Sequence, residues 1–342
     1  MYALGFIFGG QRMVQNEPGQ LIGPIAMVFG YIIDFIFNVI YSITVYHSLG
    51  LSIILLTVIV RALMLPLAMK QQKSMTAMQK LAPEIDKIKK KYPNKDKESQ
   101  QKMNAEIQKT YADNKVNPLG GCLPLFVQMP MFFGLSFIMN QSYLYVSRLG
   151  NLYSQISAYL IEHMPFETYI RTMNTLAVPL TPDRMIANGE INLTVISDVN
   201  RILNVFGTNE WNTLFEQIPA QYLSGLQYLY YHKTAIETFF GISLIEPSGL
   251  GWPGILIPIL AVATAVLTSY LTTKVSVVSD DRAKAQQKMM MVVMPIMMGA
   301  MTIGLPAGVG IFWITSSVFQ VGQQVVLNKK SGIPLVPKKE GA

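Results

Sequence analysis

The chain has 342 residues, 51% of them hydrophobic and only 14% charged, with a mean hydropathy of +0.33 and a net charge of +7. Soluble domains carry roughly 25% charged residues, so the balance points toward lipid, and the basic excess points to anionic lipid or nucleic acid according to where it lies. One cysteine, Cys122, excludes an intramolecular disulfide framework, and the scattered His47, His163 and His232 give no ligand spacing, so neither a metal nor a cofactor is expected.

The opening MYALGFIFGGQR has no basic residue ahead of its short apolar run and no lipobox cysteine, so neither a cleaved signal nor a transit peptide is expected. Residues 1–47 read as an N-terminal outside segment. Within it, 21–46 are apolar enough to span. However, Asp34, Asn38, Ser42 and Tyr46 recur every fourth residue and lay a polar stripe along one face. That stripe favours a helix lying in the interface, with a sixth span as the alternative.

The first expected span covers residues 48–70 and holds Arg61 inside its apolar run. The segment 71–117 follows. From Lys70 to Lys115 twelve lysines face six acids, and such an excess beside a span places the segment in the cytoplasm. Met78, Leu81, Ile85, Ile88 and Tyr92 alternate spacings of three and four, a coiled-coil-like seam. Pro93 interrupts the pattern, and Met103, Ile107 and Tyr111 resume it. The spacing predicts a two-helix cytoplasmic hairpin with lysines outside.

A second span, 118–140, contains Pro124 and Pro130, tolerable where neighbouring helices re-satisfy the freed backbone groups. Residues 141–250 then fall outside, with five bases against nine acids. They predict a small extracytoplasmic helical insertion, from pieces such as Asn200–Phe206 and Glu210–His232 between the turn-rich VPLTPDR and ANGE. The third span is 251–273. Lys274, Arg282, Lys284 and Lys288 mark the short cytoplasmic loop 274–287 and its edge. The fourth span, 288–303, has an apolar run from Met289 to Ile303 of about 22 Å, short of a ~30 Å hydrocarbon core. GLPAG, residues 304–308, turns the chain into a fifth span that ends at residue 328, and 329–342 form a basic cytoplasmic tail.

Arg61 carries the chemistry. An arginine at the centre of a membrane helix costs roughly 2.5–3.5 kcal/mol on insertion scales. No acidic residue within the five spans offers it a fixed counter-ion. Snorkelling to an interface or bonding to backbone carbonyls would answer the cost. So would a hydrophilic groove, and polar residues on four spans favour one. Thr57 lies one turn before Arg61, and Gln128 lies mid-way along the second span. Thr264, Thr268 and Thr272 repeat in the third, and Ser316, Gln320 and Gln324 in the fifth, with Trp313 one turn earlier and Gln323 alongside. A single such stripe more often joins helices than lines a path. Methionines between 289 and 301 suit either lipid-facing packing or an adaptable binding surface.

The stretches TVIVRALMLPL, KLAPEIDKIKKKY, KVNPLGGCLPLFVQMPMFF and MPIMMGAMTIGLPAGVGIFWITSSVFQVGQQVVLNK, in this order, resemble the YidC family of membrane insertases, which includes mitochondrial and chloroplast relatives. NPLGGCLPLFVQMP is the most specific of them. The resemblance implies an all-α integral membrane protein. Five transmembrane helices surround a hydrophilic groove open to the cytoplasm and the lipid, with an interfacial amphipathic helix and a cytoplasmic helical hairpin. It implies that Arg61 sits in that groove and draws in hydrophilic substrate segments, and that Thr57 and Trp313 contact substrate. It also implies that the hairpin is needed for insertion and that the basic tail meets the ribosome. The large outer domain of Gram-negative members is missing, which resembles the Gram-positive type, and the 141–250 insertion is longer than usual.

The expected function is therefore that of an insertase and chaperone of nascent membrane proteins in the plasma membrane, N-terminus outside and C-terminus cytoplasmic. No covalent step or nucleotide site is expected. The groove residues are Arg61, Thr57, Gln128, Thr264, Thr268, Trp313, Ser316 and Gln320. Lys87, Lys89, Lys90, Lys91, Lys329 and Lys330 are the candidates for ribosome or partner contact, which would weaken with salt. The Sec translocon is a further partner left open, and no specific DNA binding is expected. The alternative is a small-solute or ion transporter. Proton-coupled transporters generally use intramembrane Asp, Glu or His, and the spans contain none. An enzyme would need a cluster of nucleophile, base or metal ligands, and none stands in or beside the spans.

Overall fold

The computed structural model describes residues 23–92, 96–114, 123–180, 186, 189–273 and 292–330. Residues 93–95, where the hairpin is expected to reverse, lie outside the described residues, as do the NPLGGC stretch, the loop 274–287, residues 288–291 and the tail from 331 onward. The side chains of Lys329 and Lys330 are also outside them. The chain divides into two units. One comprises Met1–Thr57, Pro130–Ile259 and Gly299–Trp313, and the other Val58–Met129, Leu260–Met298 and Ile314–Ala342.

In the first unit, helix α1 (Gly23–Ile43) precedes the start of helix α2 (Ser48–Lys91). The part of α4 (Leu123–Asn140) from Pro130 onward leads into α5 (Ser142–Tyr145), α6 (Ser147–His163) and α7 (Phe166–Ala177). Helices α8 (Ile196–Leu203), α9 (Thr208–Gln217) and α10 (Ala220–Glu237) complete the segment expected to be a helical insertion. It has a core of its own. Leu149, Tyr153, Ile156 and Leu160 recur on one face of α6 and are fully buried. Their neighbours in the core include Tyr169 of α7, Val199, Ile202 and Leu203 of α8, Trp211 of α9 and Leu226 of α10. The expected helical piece Glu210–His232 is split, because Ile218 and Pro219 separate α9 from α10 and a proline supplies no N–H to continue the ladder. Likewise the piece Asn200–Phe206 is the second half of α8 and its C-terminal turns.

The polar stripe of α1 has a protein partner. Ser147 donates through its backbone N–H (2.8 Å) and hydroxyl (2.9 Å) to the Asp34 carboxylate. Arg148 Nε donates to Asn38 at 2.8 Å, and its guanidinium lies 4.6 Å over the Tyr41 ring. Val146, at the N-cap of α6, has no side-chain acceptor, so Asp34 caps that helix from another one.

After α10, strands β1 (Thr238–Phe239) and β2 (Ile242–Ser243) form a two-residue hairpin. The chain then runs beside the turn between α12 (Met294–Gly304) and α13 (Ala307–Lys330). Ala307 N–H donates to the Glu246 carbonyl, and Gly308 N–H to that of Leu244, both at 2.8 Å. A Cβ at Gly308 would stand 2.7 Å from Met139 Sδ and 3.1 Å from the Leu244 oxygen, so this close approach needs glycine. The GLPAG turn is thus fixed by the end of the insertion.

In the second unit α2 continues through Pro66 and Pro83 to Lys91, joining the first expected span to the hairpin in one helix. Helix α3 (Lys97–Asp113) begins at Asp96, whose carboxylate accepts from Ser99 N–H at 2.9 Å. Ile85 and Ile88 of the seam are buried. Glu106 of α3 accepts from Lys91 (2.9 Å) and from the Tyr92 hydroxyl (2.8 Å), and these bonds hold its carboxyl below the usual range. Among the described residues two helical stretches are long and apolar enough to cross a membrane, Ala26–Ile43 and Ser48–Lys70. Leu256–Leu271 of α11 (Leu256–Thr273) and Pro295–Gly304 of α12 are shorter apolar helices.

Candidate functional site

Arg61 lies in the second unit on α2, half-buried, and its Nη2 donates to Gln128 Oε1 of α4 at 2.9 Å. Two residues that the sequence singled out separately are therefore one contact. Gln128 contributes an acceptor without a negative charge, so it orients the guanidinium while leaving its charge in place.

The threonines of α11 are only partly available. Thr264 Oγ1 donates to the Leu260 carbonyl at 2.7 Å, and Thr268 Oγ1 to the Thr264 carbonyl at 2.8 Å and, more weakly, to the Ser317 carbonyl of α13 at 3.3 Å. Their protons are used within the protein, while each oxygen can still accept. Thr268 thus joins α11 to α13. Sequence reasoning passed over Ser317; its signal was the Thr315-Ser316-Ser317 run. The Ser316 hydroxyl is buried with no hydrogen-bond partner among the described residues, whereas Gln320 is half-buried.

Thr57 and Trp313 belong to the first unit, where both are core residues. Thr57 is 1% exposed and donates to the Ile53 carbonyl at 2.6 Å. Trp313 stacks on Phe132 with ring centres 5.1 Å apart and planes 4° from parallel.

One and two turns beyond Arg61 on α2, Leu65 and Met69 line a cavity of about 350 Å³ together with Phe319, Gly322, Gln323, Val326 and Leu327 of α13. Its walls are almost wholly apolar. The second unit therefore offers, along α2, a cation with a neutral acceptor and then a slot suited to hydrocarbon side chains. Of the hairpin lysines, Lys87 and Lys90 are exposed, Lys89 is half-buried, and exposed Lys91 is held by Glu106.

Residues 39–333 match the family model described as 60Kd inner membrane protein. The chain belongs to this family. It is similar to the protein named Membrane protein insertase YidC of Oceanobacillus iheyensis, at 27% identity over 292 residues, 85% of this chain and 77% of the relative. It is likewise similar to Membrane protein insertase YidC 1 of Lactococcus lactis, at 31% over 278 residues, 81% of this chain and 67% of the relative. Membrane protein insertase YidC of Fusobacterium nucleatum is 29% identical over 283 residues, 83% of this chain and 87% of the relative. Membership of the YidC family, expected from four stretches that span somewhat over half the chain, is thus carried by residues 39–333. The match takes in the end of α1, the helical insertion and α13.

Proposed function

We propose that the protein is a membrane protein insertase, moving hydrophobic segments and short hydrophilic tails of nascent proteins from the cytoplasm into the bilayer past Arg61. The observation that carries this reading is the family match over residues 39–333, whose relatives bear the insertase name. The Arg61–Gln128 contact supports the role given to the arginine.

In this reading five spans cross the plasma membrane, the N-terminus lies outside, and the lysine-rich hairpin and tail are cytoplasmic. A nascent segment leaves the ribosome along Lys87, Lys89, Lys90, Lys91, Lys329 and Lys330, with the Sec translocon as a further partner. Its polar tail rests in a hydrophilic groove lined, within the second unit, by Arg61, Gln128, Thr264, Thr268, Ser316 and Gln320. A carboxylate of that tail ~4 Å from Arg61, at an effective dielectric of ~20, gains roughly 4 kcal/mol before desolvation losses. The apolar slot between Leu65 and Phe319 receives side chains of the hydrophobic segment, which then leaves sideways, driven by its own burial in lipid. A short fourth span would thin the bilayer locally and shorten the path of the tail.

Depletion tests the function. Small substrates with short translocated tails should accumulate uninserted when the protein is removed and recover with the wild-type chain. Unchanged insertion after depletion would overturn the reading.

A further inference from the structure

The turn between β1 and β2 is unusual for what it holds. Phe240 and Gly241 both have positive φ, 48° and 80°, as a two-residue hairpin turn of this kind requires. Asparagine or aspartate normally fills the first position, because a bulky side chain there is sterically costly. Yet Phe240 is 75% exposed, its ring meeting only the His47 imidazole face (5.1 Å) and the edge of Phe239 (4.7 Å) among the described aromatic contacts. A costly conformation that displays an apolar ring suggests something outside the chain to receive it.

The turn is also rigidly placed. His47 Nδ1 donates to the Thr238 carbonyl at 2.9 Å, and Phe239 lies where a Cβ at Gly50 would collide with its ring. These contacts dock the hairpin on the first turn of α2, a helix apolar and long enough to cross a membrane. The turn lies next to the following loop too, since a Cβ at Gly241 would be 3.8 Å from Pro253 Cγ. That loop carries Leu250, 67% exposed, and Trp252, 79% exposed, immediately before α11. From Thr238 to Ile255 the only charged residue is Glu246. Exposed Ile43 and Tyr46 border the start of α2, and exposed Leu51 and Leu55 continue down it.

We propose that Phe240, Trp252 and Leu250 form an aromatic anchor seated in the lipid–water interface, at the end of the bilayer where α2 and α11 begin. Aromatic rings favour this zone, where an apolar body meets partly hydrated headgroups. The nearly uncharged surface indicates that a zwitterionic bilayer suffices. The anchor rests on the membrane reading above and gives the 141–250 insertion a task, holding the entry point of α2 at a fixed depth.

Spin labels in phosphatidylcholine nanodiscs test it. With Cys122→Ser as background, single cysteines replace Phe240, Trp252, Leu55 and the exposed loop residue Glu190, and the accessibility of each label to oxygen and to a nickel chelate is measured. Labels at 240 and 252 should favour oxygen, between the lipid value at 55 and the aqueous value at 190. Aqueous values at 240 and 252 with lipid values at 55 overturn the anchor and leave the membrane reading standing. An aqueous value at 55 overturns both.

Discussion

Lys233 and Glu237 lie one turn apart on α10, 2.7 Å from each other, with side chains only 4% and 2% exposed. Tyr153 donates to the same carboxylate at 2.9 Å, and the rings of Tyr153, Trp211 and Tyr230 surround the ammonium at 5.2–5.6 Å. Removing one member strands the other charge in the core. Lys233→Met should therefore cost about 3–5 kcal/mol, seen as a lower melting temperature in detergent, and adding Glu237→Leu should restore most of it. Equal losses in single and double variants would contradict this. The i, i+4 spacing was visible in the sequence, but there both residues entered only the charge count of 141–250, since burial depends on helices far along the chain. Arg61 shows the same limit. Its position and that of Gln128 were legible; their contact at 2.9 Å was not. The contact makes a sharp expectation possible. Gln128→Glu places a fixed carboxylate beside the guanidinium, so insertion of acidic-tailed substrates should fall about tenfold or more while the protein folds normally. Undiminished insertion would show that the arginine's charge is not what the substrate needs.

At the scale of elements, Ile85 and Ile88 of the predicted hairpin seam are buried. The continuity of α2 through Pro66 and Pro83 was not read, because a proline's effect depends on what re-satisfies the backbone around it. The hairpin should respond to acid. Hydrogen bonds from Lys91 and Tyr92 lower the Glu106 carboxyl below its ordinary value, so this contact stabilises the hairpin above the unfolded carboxylate range. It is lost as pH falls through the lowered folded value. Distances between spin labels on α2 and α3 should lengthen over that acidic window. Glu106→Gln should remove the pH step, and a step that survives it would assign the transition to another group. The stripe on α1 carried a second lesson. The stripe with Asp34 and Asn38 favoured an interfacial helix over a sixth span, and these two residues bind Ser147 and Arg148 of α6, partners that a stripe alone does not reveal.

For the whole molecule, long apolar runs in the composition pointed to a membrane protein, and four short stretches pointed to the family. The insertion at 141–250 was legible only as helical. Its core is assembled from short pieces whose partners lie far apart, such as Tyr153, Tyr169 and Trp211. The central claim is that one positive charge, kept in an apolar helix beside a neutral amide, draws in the tail of a passing segment. Purified protein in proteoliposomes tests it most directly, with a pair of substrates that differ only in an acidic or a neutral translocated tail. Protease protection of that tail reports insertion. With Arg61→Ala the acidic tail should lose about tenfold or more in insertion and the neutral tail much less, while Arg61→Lys retains a large part of the activity. Equal insertion of both tails by Arg61→Ala and the wild-type chain would contradict the account.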